Sequence, residues 1–520
     1  MQPNSNSTSR SLWLATETTP HFPALANDTH ADVCVIGAGI GGLTTAYILA
    51  CEGKKVIVID AISIGAGETG RTTAHFFPPD EWYADLEDSF GTENAALISN
   101  SFTEAIDLVE SIIAREDIDC DFERLPGYLF SLTDNAHAEM EREYFAAQRA
   151  GAESGLLERA PGLSFDTGTC VEFSGLAQFH PLKYLSALAN AIVKRGGEIF
   201  CGTRAAKIEH SNADSSAGNP SGEIQWVHTN GGIISASAVV VATNTPFNKE
   251  TMLLHTKQAA YQSYVIGMRV PKGSVPRILL WDNGDPYYYL RLAEDDDEPD
   301  LDMLIVGGAD HKTGNDKHPE HRYDEIERWV RERFPMALSV VYRWSGEVME
   351  PADGVAYLGR NPTGDKNTYI ITGDSGNGMT HCTIGAMIIA DLICGRESKW
   401  EALYNPKRKV TRALSEFVSE QADTLSKYGE WLTPGEVALT GEIECGQGAI
   451  VRKGIHKLAI YRDDAGTLHS LSAKCPHMGC VVHFNSAERS WDCPCHGSRF
   501  NTDGAVLHGP ATSPLSRTAD

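Results

Sequence analysis

The sequence predicts an α/β chain that closes with a small all-β domain. Three observations lead there. Residues 31–60 run from an apolar strand through a glycine turn and an alanine-rich helix into a second apolar strand. Helical and strand-like segments then alternate irregularly up to residue 400. After Pro434 and Gly435 the composition shifts to short strands and turns, among which cysteines and histidines crowd together. The 520 residues are 42% hydrophobic and 22% charged, an ordinary globular composition on the scale of roughly three domains. The 44 Lys+Arg against 70 Asp+Glu give a charge of −26, which repels phosphate backbones and anionic membranes and argues against nucleic acid as a partner. No run approaches the roughly 20 consecutive apolar residues of a spanning helix, and the N-terminus lacks an apolar signal core, so a cytoplasmic location is expected.

Residues 31–60, ADVCVIGAGIGGLTTAYILACEGKKVIVID, have the length and order of a βαβ nucleotide-binding unit. The phosphate-binding stretch is Gly37, Ala38, Gly39, Ile40, Gly41 and Gly42. Gly37 permits the tight turn, Gly39 lets backbone amides approach a pyrophosphate, and Gly42 lets the helix pack closely on the sheet. The helix N-terminus favours the phosphate charge. Asp60, at the end of the second strand, stands where a ribose hydroxyl needs an acceptor. This unit alone does not separate NAD from FAD.

Two later stretches, VVVATNTP (Val239 to Pro246) and YIITGDSGNGMTHCTIGAMIIADLI (Tyr369 to Ile393), resemble the further FAD-contacting segments of the D-amino-acid oxidase-like (DAO) flavoenzymes, which include glycine and sarcosine oxidases. The resemblance implies FAD, contacted by Ala242, Thr243, Gly373, Asp374, Gly376, Asn377, Gly378, Met379 and Thr380. The amides opening the late helix would face the negative charge of a reduced flavin. In GAGETGRTTAHFF (Gly65 to Phe77) it implies Arg71, Thr72 and Thr73 as FAD contacts and directs His75 towards the reaction chamber. In the segment from Gly175 to Glu209 it puts Ala206 against adenine.

The helical pattern NAALISNSFTEAIDLVESIIARE and the strand-like runs SYVIGMRV, PYYYLRL and LDMLIVGG suit the family's antiparallel-sheet substrate domain, which roofs the flavin. Alternation places Tyr289 and Arg291 on one face of a candidate strand. In amino-acid oxidases an arginine clamps the substrate carboxylate, a job that Arg291 is a candidate for, with Tyr289, His75 and His381 as further substrate-side candidates. The acidic run Glu294 to Asp300 reads as a solvated hairpin tip.

Of the 12 cysteines, eight lie singly in segments that read as core. The other four fall in CPHMGC (Cys475 to Cys480) and CPCHGS (Cys493 to Ser498). Cys-x-His with Cys-x-x-His is the ligand set of a Rieske [2Fe-2S] centre, here Cys475, His477, Cys493 and His496. Two Cys and two His also suit zinc, although zinc leaves Cys480 and Cys495 unexplained. The boxes resemble those of the Rieske proteins of cytochrome bc complexes, in which the extra pair forms a disulfide. Gly479, Gly497 and the loop Gly509-Pro510-Ala511 fit that family too. Ser498 matches its serine that tunes the cluster through a bridging sulfide. Phe500 stands where the high-potential members have tyrosine, so one hydrogen bond to the reduced cluster is lost. A potential below the top of the roughly −150 to +300 mV range is expected, and a redox titration reaching that limit would contradict it.

As a whole the chain resembles bacterial DAO-like flavoproteins that carry a C-terminal Rieske domain, an agreement that extends to the opening segment SLWLATETTPHFPAL. The implied organisation is an N-terminal extension (1–29), the FAD-dependent oxidoreductase (30–400), a helical linker (401–433) and the Rieske domain (434–520). Within the oxidoreductase, FAD-binding pieces at 30–90, 165–250 and 340–400 alternate with substrate-domain pieces at 91–164 and 251–339. The expected activity is dehydrogenation of an amine or amino-acid-like substrate by hydride transfer to FAD, followed by one-electron transfers to the cluster and an external electron acceptor. One rival is a non-catalytic electron-transfer or redox-sensing module. Another is a Rieske oxygenase, whose extra iron would have to use Asp310, His311, Asp316, His318 and His321. The substrate, the acceptor, covalent attachment of FAD, the oligomeric state and a catalytic acid or base are not read from the sequence.

Overall fold

The computed structural model describes residues 9–79, 82–210, 224–248, 252–363, 366–409 and 427–518. Most of the expected helical stretch between 406 and 432 lies outside these residues. On its two sides stand a short helix, Glu401–Tyr404, and a 3-10 turn, Gly429–Leu432.

The strand Thr29–Ile36 runs between Ile233–Val241 and Val56–Ile59, parallel to both, in the middle of an eight-stranded sheet. Its last four residues are all buried. A parallel strand covered on both faces reads as a continuous apolar run rather than an alternation, and this one does. Helix Ile40–Cys51 leaves its C-terminal end, and helix Gly378–Ile393 follows the strand Thr368–Thr372 of the same sheet. The two helices pack on each other, so both N-termini open at one crevice beyond the carboxyl ends of the strands.

A nine-stranded sheet stands over that crevice, in the order Val340–Pro351, Gln258–Pro271, Leu301–Lys312, Tyr288–Glu294, Leu279–Asp282, Glu123–Phe130, Cys170–Gln178 and His75–Phe76, with Ser154–Leu157 beside Cys170–Gln178. Its pairings are antiparallel except one: Leu279–Asp282 runs parallel to Glu123–Phe130. Each of these strands has its direction set by an antiparallel neighbour on its other edge, and the two halves of the sheet join where those directions coincide. Period-two alternation gives the sheet two faces. Tyr264, Ile266, Leu290, Leu304 and Val306 bury against helix His321–Arg333, while Ser263, Val265 and Tyr289 face the crevice. The acidic run 294–300 joins two antiparallel strands, with Asp295 tied back to Arg269 at 2.6 Å.

The last domain has a three-stranded sheet (Gly448–Lys453, His456–Arg462, Leu468–Ser472) and a four-stranded one (His483–Asn485, Ser490–Asp492, Arg499–Asn501, Val506–His508). Trp491 and Phe500, both fully buried, fill its core. Among the described residues no helix is long and apolar enough to cross a membrane.

Candidate functional site

The glycine turn opens on a cavity of about 490 Å³. Gly37 has φ +111°, and a Cβ there would stand 2.3 Å from the Ala242 carbonyl oxygen, so glycine alone lets the two strand ends meet. A Cβ at Gly42 would lie 1.9 Å from the Gly37 oxygen, which explains the close helix packing. Gly39 differs, because its nearest neighbour would be the Thr69 hydroxyl oxygen at 2.9 Å. Its missing side chain leaves cavity space open. Asp60 accepts from the Ala38 N–H at 2.9 Å and from the Ile62 N–H at 2.8 Å, so the carboxylate pins the turn while standing on the wall. Burial pushes its pKa up, and these amides pull the other way. A cradle that a Cβ would fill, two helix N-termini and a wall carboxylate fit a dinucleotide.

Most of the expected FAD contacts come together on this one cavity. Gly37, Gly39, Ile40, Gly41, Asp60, Arg71, Thr72 and Thr73 line one part of it, and Ala242, Thr243, Asp374, Gly376, Asn377, Gly378 and Met379 another. Ala38, Gly42, Gly373 and Thr380 do not line it; Ala38 and Thr380 are fully buried, and Gly373 packs against Pro351. Ala206, expected against adenine, is exposed, and Arg204 and Ala205 line the cavity instead. The cause is a bulge between Ala205 and Lys207 that shifts the alternation of the strand Ala205–His210.

Under the nine-stranded sheet the cavity ends in an aromatic box. His75 stacks on Phe77 at 4.4 Å, Phe77 lies 4.6 Å from Trp281, and Tyr289 meets His75 edge-on at 5.7 Å. Gly307, paired across from Tyr289, makes room for it, since a Cβ there would be 2.4 Å from that ring. Burial, with Arg291 adding to it, holds His75 well below the usual imidazole range, so its ring is neutral.

Arg291 is on the face that alternation gives it, but not at the box. Its guanidinium is buried and donates to the carbonyls of Thr73 (3.1 Å), Ala74 (2.8 Å) and Phe179 (3.0 Å), with Trp13 5.2 Å away across its face. Three converging carbonyls hold it there, and it is not on the cavity wall as a carboxylate clamp would be. The His381 ring is held by the Asp374 carbonyl at 2.8 Å and packs edge-on against Phe102.

In the C-terminal domain Cys480 and Cys495 are joined by a disulfide, with Cα atoms 6.5 Å apart. Among the described residues the sulfurs of Cys480, Cys493 and Cys495 crowd within 4.8 Å, but two of them belong to the disulfide and are not thiolates. Cys475 and Cys493 remain, beside His477 and His496, whose rings are 5.0 Å apart. Cys493 and the amides of His477 and Met478 hold the Cys475 pKa down, and the amides of Cys495 and His496 point at the Cys493 sulfur. Burial brings both histidines down to about 4, so they are neutral. Two sulfurs served by amide donors and two neutral imidazoles fit a mixed thiolate and imidazole diiron site. Ser498 faces Cys475 with its hydroxyl and accepts from the Ala511 N–H at 3.0 Å. The residues considered for a further iron do not converge: His311 bonds to Tyr264, Asp316 pairs with Arg322, and His318 and His321 stack at the surface beside Glu320.

The two sites meet. Leu507, His508, Gly509, Ala511 and Thr512 of the C-terminal domain form part of the cavity wall. His508 sits 2.9 Å from the buried Glu347 carboxylate and 3.9 Å from Glu68. Glu488 takes a hydrogen bond from the Tyr323 hydroxyl at 3.0 Å and lies 3.5 Å from Arg71, while buried Arg499 pairs with Asp492 at 3.2 Å. Gly497, with φ +79°, has room for no side chain: a Cβ would be 2.6 Å from Ala260. Sequence reasoning missed this contact. Its one local signal is Glu347, an acid at an inward position of the strand Val340–Pro351.

Burial opposes the charge on His508, but Glu347 and Glu68 outweigh it and raise its pKa from 6.5 to about 9. A group that binds its proton more tightly when folded stabilises fully below pH 6.5 and progressively less as pH rises through about 9. Burial also raises its partner Glu347, to about 7, with His508 holding it down, so the thermal midpoint of the intact chain is expected to fall between those pH values more steeply than that of a chain carrying both His508→Gln and Glu347→Gln. Equal slopes in scanning calorimetry would contradict this.

The FAD dependent oxidoreductase (DAO) family pattern matches residues 32–392, and the Rieske [2Fe-2S] domain pattern matches residues 433–519. A Rieske 2Fe-2S iron-sulfur protein of Bacillus subtilis (strain 168), YhfW, is 30% identical over 507 residues, covering 97% of this chain and 96% of its own. Gamma-glutamylputrescine oxidoreductase of Escherichia coli (strain K12) is 27% identical over 74% of this chain and 88% of its own. Among solved structures, glycine oxidase from Geobacillus kaustophilus shares the fold, with a TM-score of 0.58, 18% identity, and coverage of 74% of this chain and 99% of that one.

Proposed function

The chain belongs to the FAD-dependent oxidoreductase family and carries a Rieske [2Fe-2S] domain, and from that premise we propose that it dehydrogenates a small amine or amino-acid-like molecule and delivers the electrons singly to an external acceptor. When bound, FAD supplies hydride acceptance and the cluster one-electron carriage, which suits a two-electron oxidation drained in single steps. One observation carries the reading: Leu507, His508, Gly509, Ala511 and Thr512 of the cluster domain form part of the wall of the cavity that the glycine turn opens.

The chain's own residues divide the work. The N-termini of helices Ile40–Cys51 and Gly378–Ile393 would bind and orient the dinucleotide, with Asp60 and Arg204 on the same cavity wall for its nucleoside part. Cys475, His477, Cys493 and His496 would hold the cluster, and the Cys480–Cys495 disulfide ties their loops together. Ser498 turns its hydroxyl to Cys475 and would tune the cluster from there.

His75, Phe77, Trp281 and Tyr289 exclude water from the substrate end and offer ring faces to an amine-bearing group. Arg291, held by three backbone carbonyls, has no part in substrate binding in this reading. The names of the Escherichia coli relative and the Geobacillus neighbour refer to gamma-glutamylputrescine and glycine, both amine-bearing molecules, in keeping with that end of the cavity. Pro476 and Met478, exposed on the outer side of the cluster loop, offer an acceptor its approach.

The test is an anaerobic screen of primary and secondary amines and amino acids against the holoprotein, followed by flavin absorbance. One chemical class is expected to bleach the flavin within the turnover range of about 1–10³ per second. Failure of every compound would favour a non-catalytic electron-transfer module instead.

A further inference from the structure

His255 ends a short helix of the oxidoreductase body, Met252–His255, and is 5% exposed. Its ring centre lies 5.2 Å from that of His477 and 5.6 Å from that of His496, at interplanar angles of 72° and 65°. With the 5.0 Å between those two rings, three imidazoles close a triangle of which one corner belongs to the body and two to the cluster domain. The His255 ring also hydrogen-bonds the backbone of Pro246, which has no N–H and so accepts through its carbonyl. Thr243, Asn244 and Thr245, just before Pro246, stand on the cavity wall. The Nδ1 of His255 has no hydrogen-bond partner among the described residues. Burying such a nitrogen without a partner is unfavourable, so the ring is not held there by its Nδ1. Its contacts with the cluster domain give the ring its place.

We propose that His255 is a positioning residue: it seats the two cluster-binding imidazoles against the segment that walls the flavin cavity, and so fixes how the cluster domain docks on the body. The proposal rests on the reading that Cys475, His477, Cys493 and His496 hold a Rieske cluster. It assigns His255 no proton to carry. What matters is the ring that fills the space between Pro246 and the two imidazoles, and the water it keeps away from them.

The test uses the full chain loaded with FAD and cluster, as wild type, His255→Ala and His255→Phe. Both variants are expected to retain FAD and iron. In His255→Ala, amide hydrogen exchange in residues 475–480 and 493–497 is expected to rise about tenfold as docking loosens. The electron paramagnetic resonance signal of the dithionite-reduced cluster is expected to change, and its midpoint potential to rise, because admitted water solvates the added negative charge. His255→Phe, which restores the ring but not its nitrogens, is expected to return both the exchange and the signal towards wild type. Unchanged exchange and an unchanged signal in His255→Ala would overturn the proposal, and so would a phenylalanine chain as disturbed as the alanine one. A wild-type chain without a Rieske-type signal would instead overturn the reading on which the proposal rests.

Discussion

A Cys475→Ser chain is expected to purify with FAD bound and without its iron. Once the disulfide has taken Cys480 and Cys495, Cys475 and Cys493 are the cysteines left at the paired loops, so neither has a substitute there. A serine hydroxyl offers a hard, protonated oxygen where the site needs a thiolate held by the amides of His477 and Met478. Loss of an outer partner of a metal ligand costs about 10–100-fold in affinity, so loss of a ligand is expected to cost at least the upper figure. His496→Ala should do the same from the imidazole side. Iron analysis and visible spectra check the cofactor content. Flavin bleaching by an amine should survive in both chains, while reduction of a one-electron acceptor should fall by about 100-fold or more. Undiminished iron in either chain would mean that other side chains hold the cluster.

Gly39→Leu should give the converse, a chain that keeps its cluster and loses FAD. The leucine Cβ would start 2.9 Å from the Thr69 hydroxyl oxygen, which accepts from the Ile40 N–H at 3.1 Å. The rest of the side chain would then occupy the cavity in front of the helix N-terminus proposed to take the pyrophosphate. Displacing two charge-assisted hydrogen bonds, each worth about 1.5–3 kcal/mol, lowers FAD affinity by about 100-fold or more. The fold should survive, because the collisions of that turn with backbone are at Gly37 and Gly42 and not at Gly39. Full FAD content after purification, with a normal cluster spectrum, would remove the glycine turn from the binding site.

The two candidate cofactor sites were legible in the sequence because each is local. The turn at Gly37 to Gly42 is decided by backbone conformation within six residues, and each cluster box carries its cysteine and histidine within four. Where sequence reasoning went astray, one more structural variable intervened. The bulge after Ala205 turns Ala206 outward and leaves Ala205 on the cavity wall. Alternation gave Arg291 the correct face but could not reveal three carbonyls waiting beyond the aromatic box. The docking of the two domains had almost no sequence signal. Glu68, Glu347 and His508 lie more than 150 residues from one another, and nothing in the sequence sets His255 apart until the fold brings it to His477 and His496.

The most direct test of electron exchange inside one chain is anaerobic stopped-flow mixing of the holoprotein with a reducing amine, recording flavin and cluster bands together. Because one chain supplies both the cavity wall and the cluster loops, flavin bleaching should come first and cluster reduction second, at a rate that does not depend on protein concentration. A cluster that stays oxidised beside a reduced flavin, or one whose reduction rate rises in proportion to protein concentration, would contradict the account.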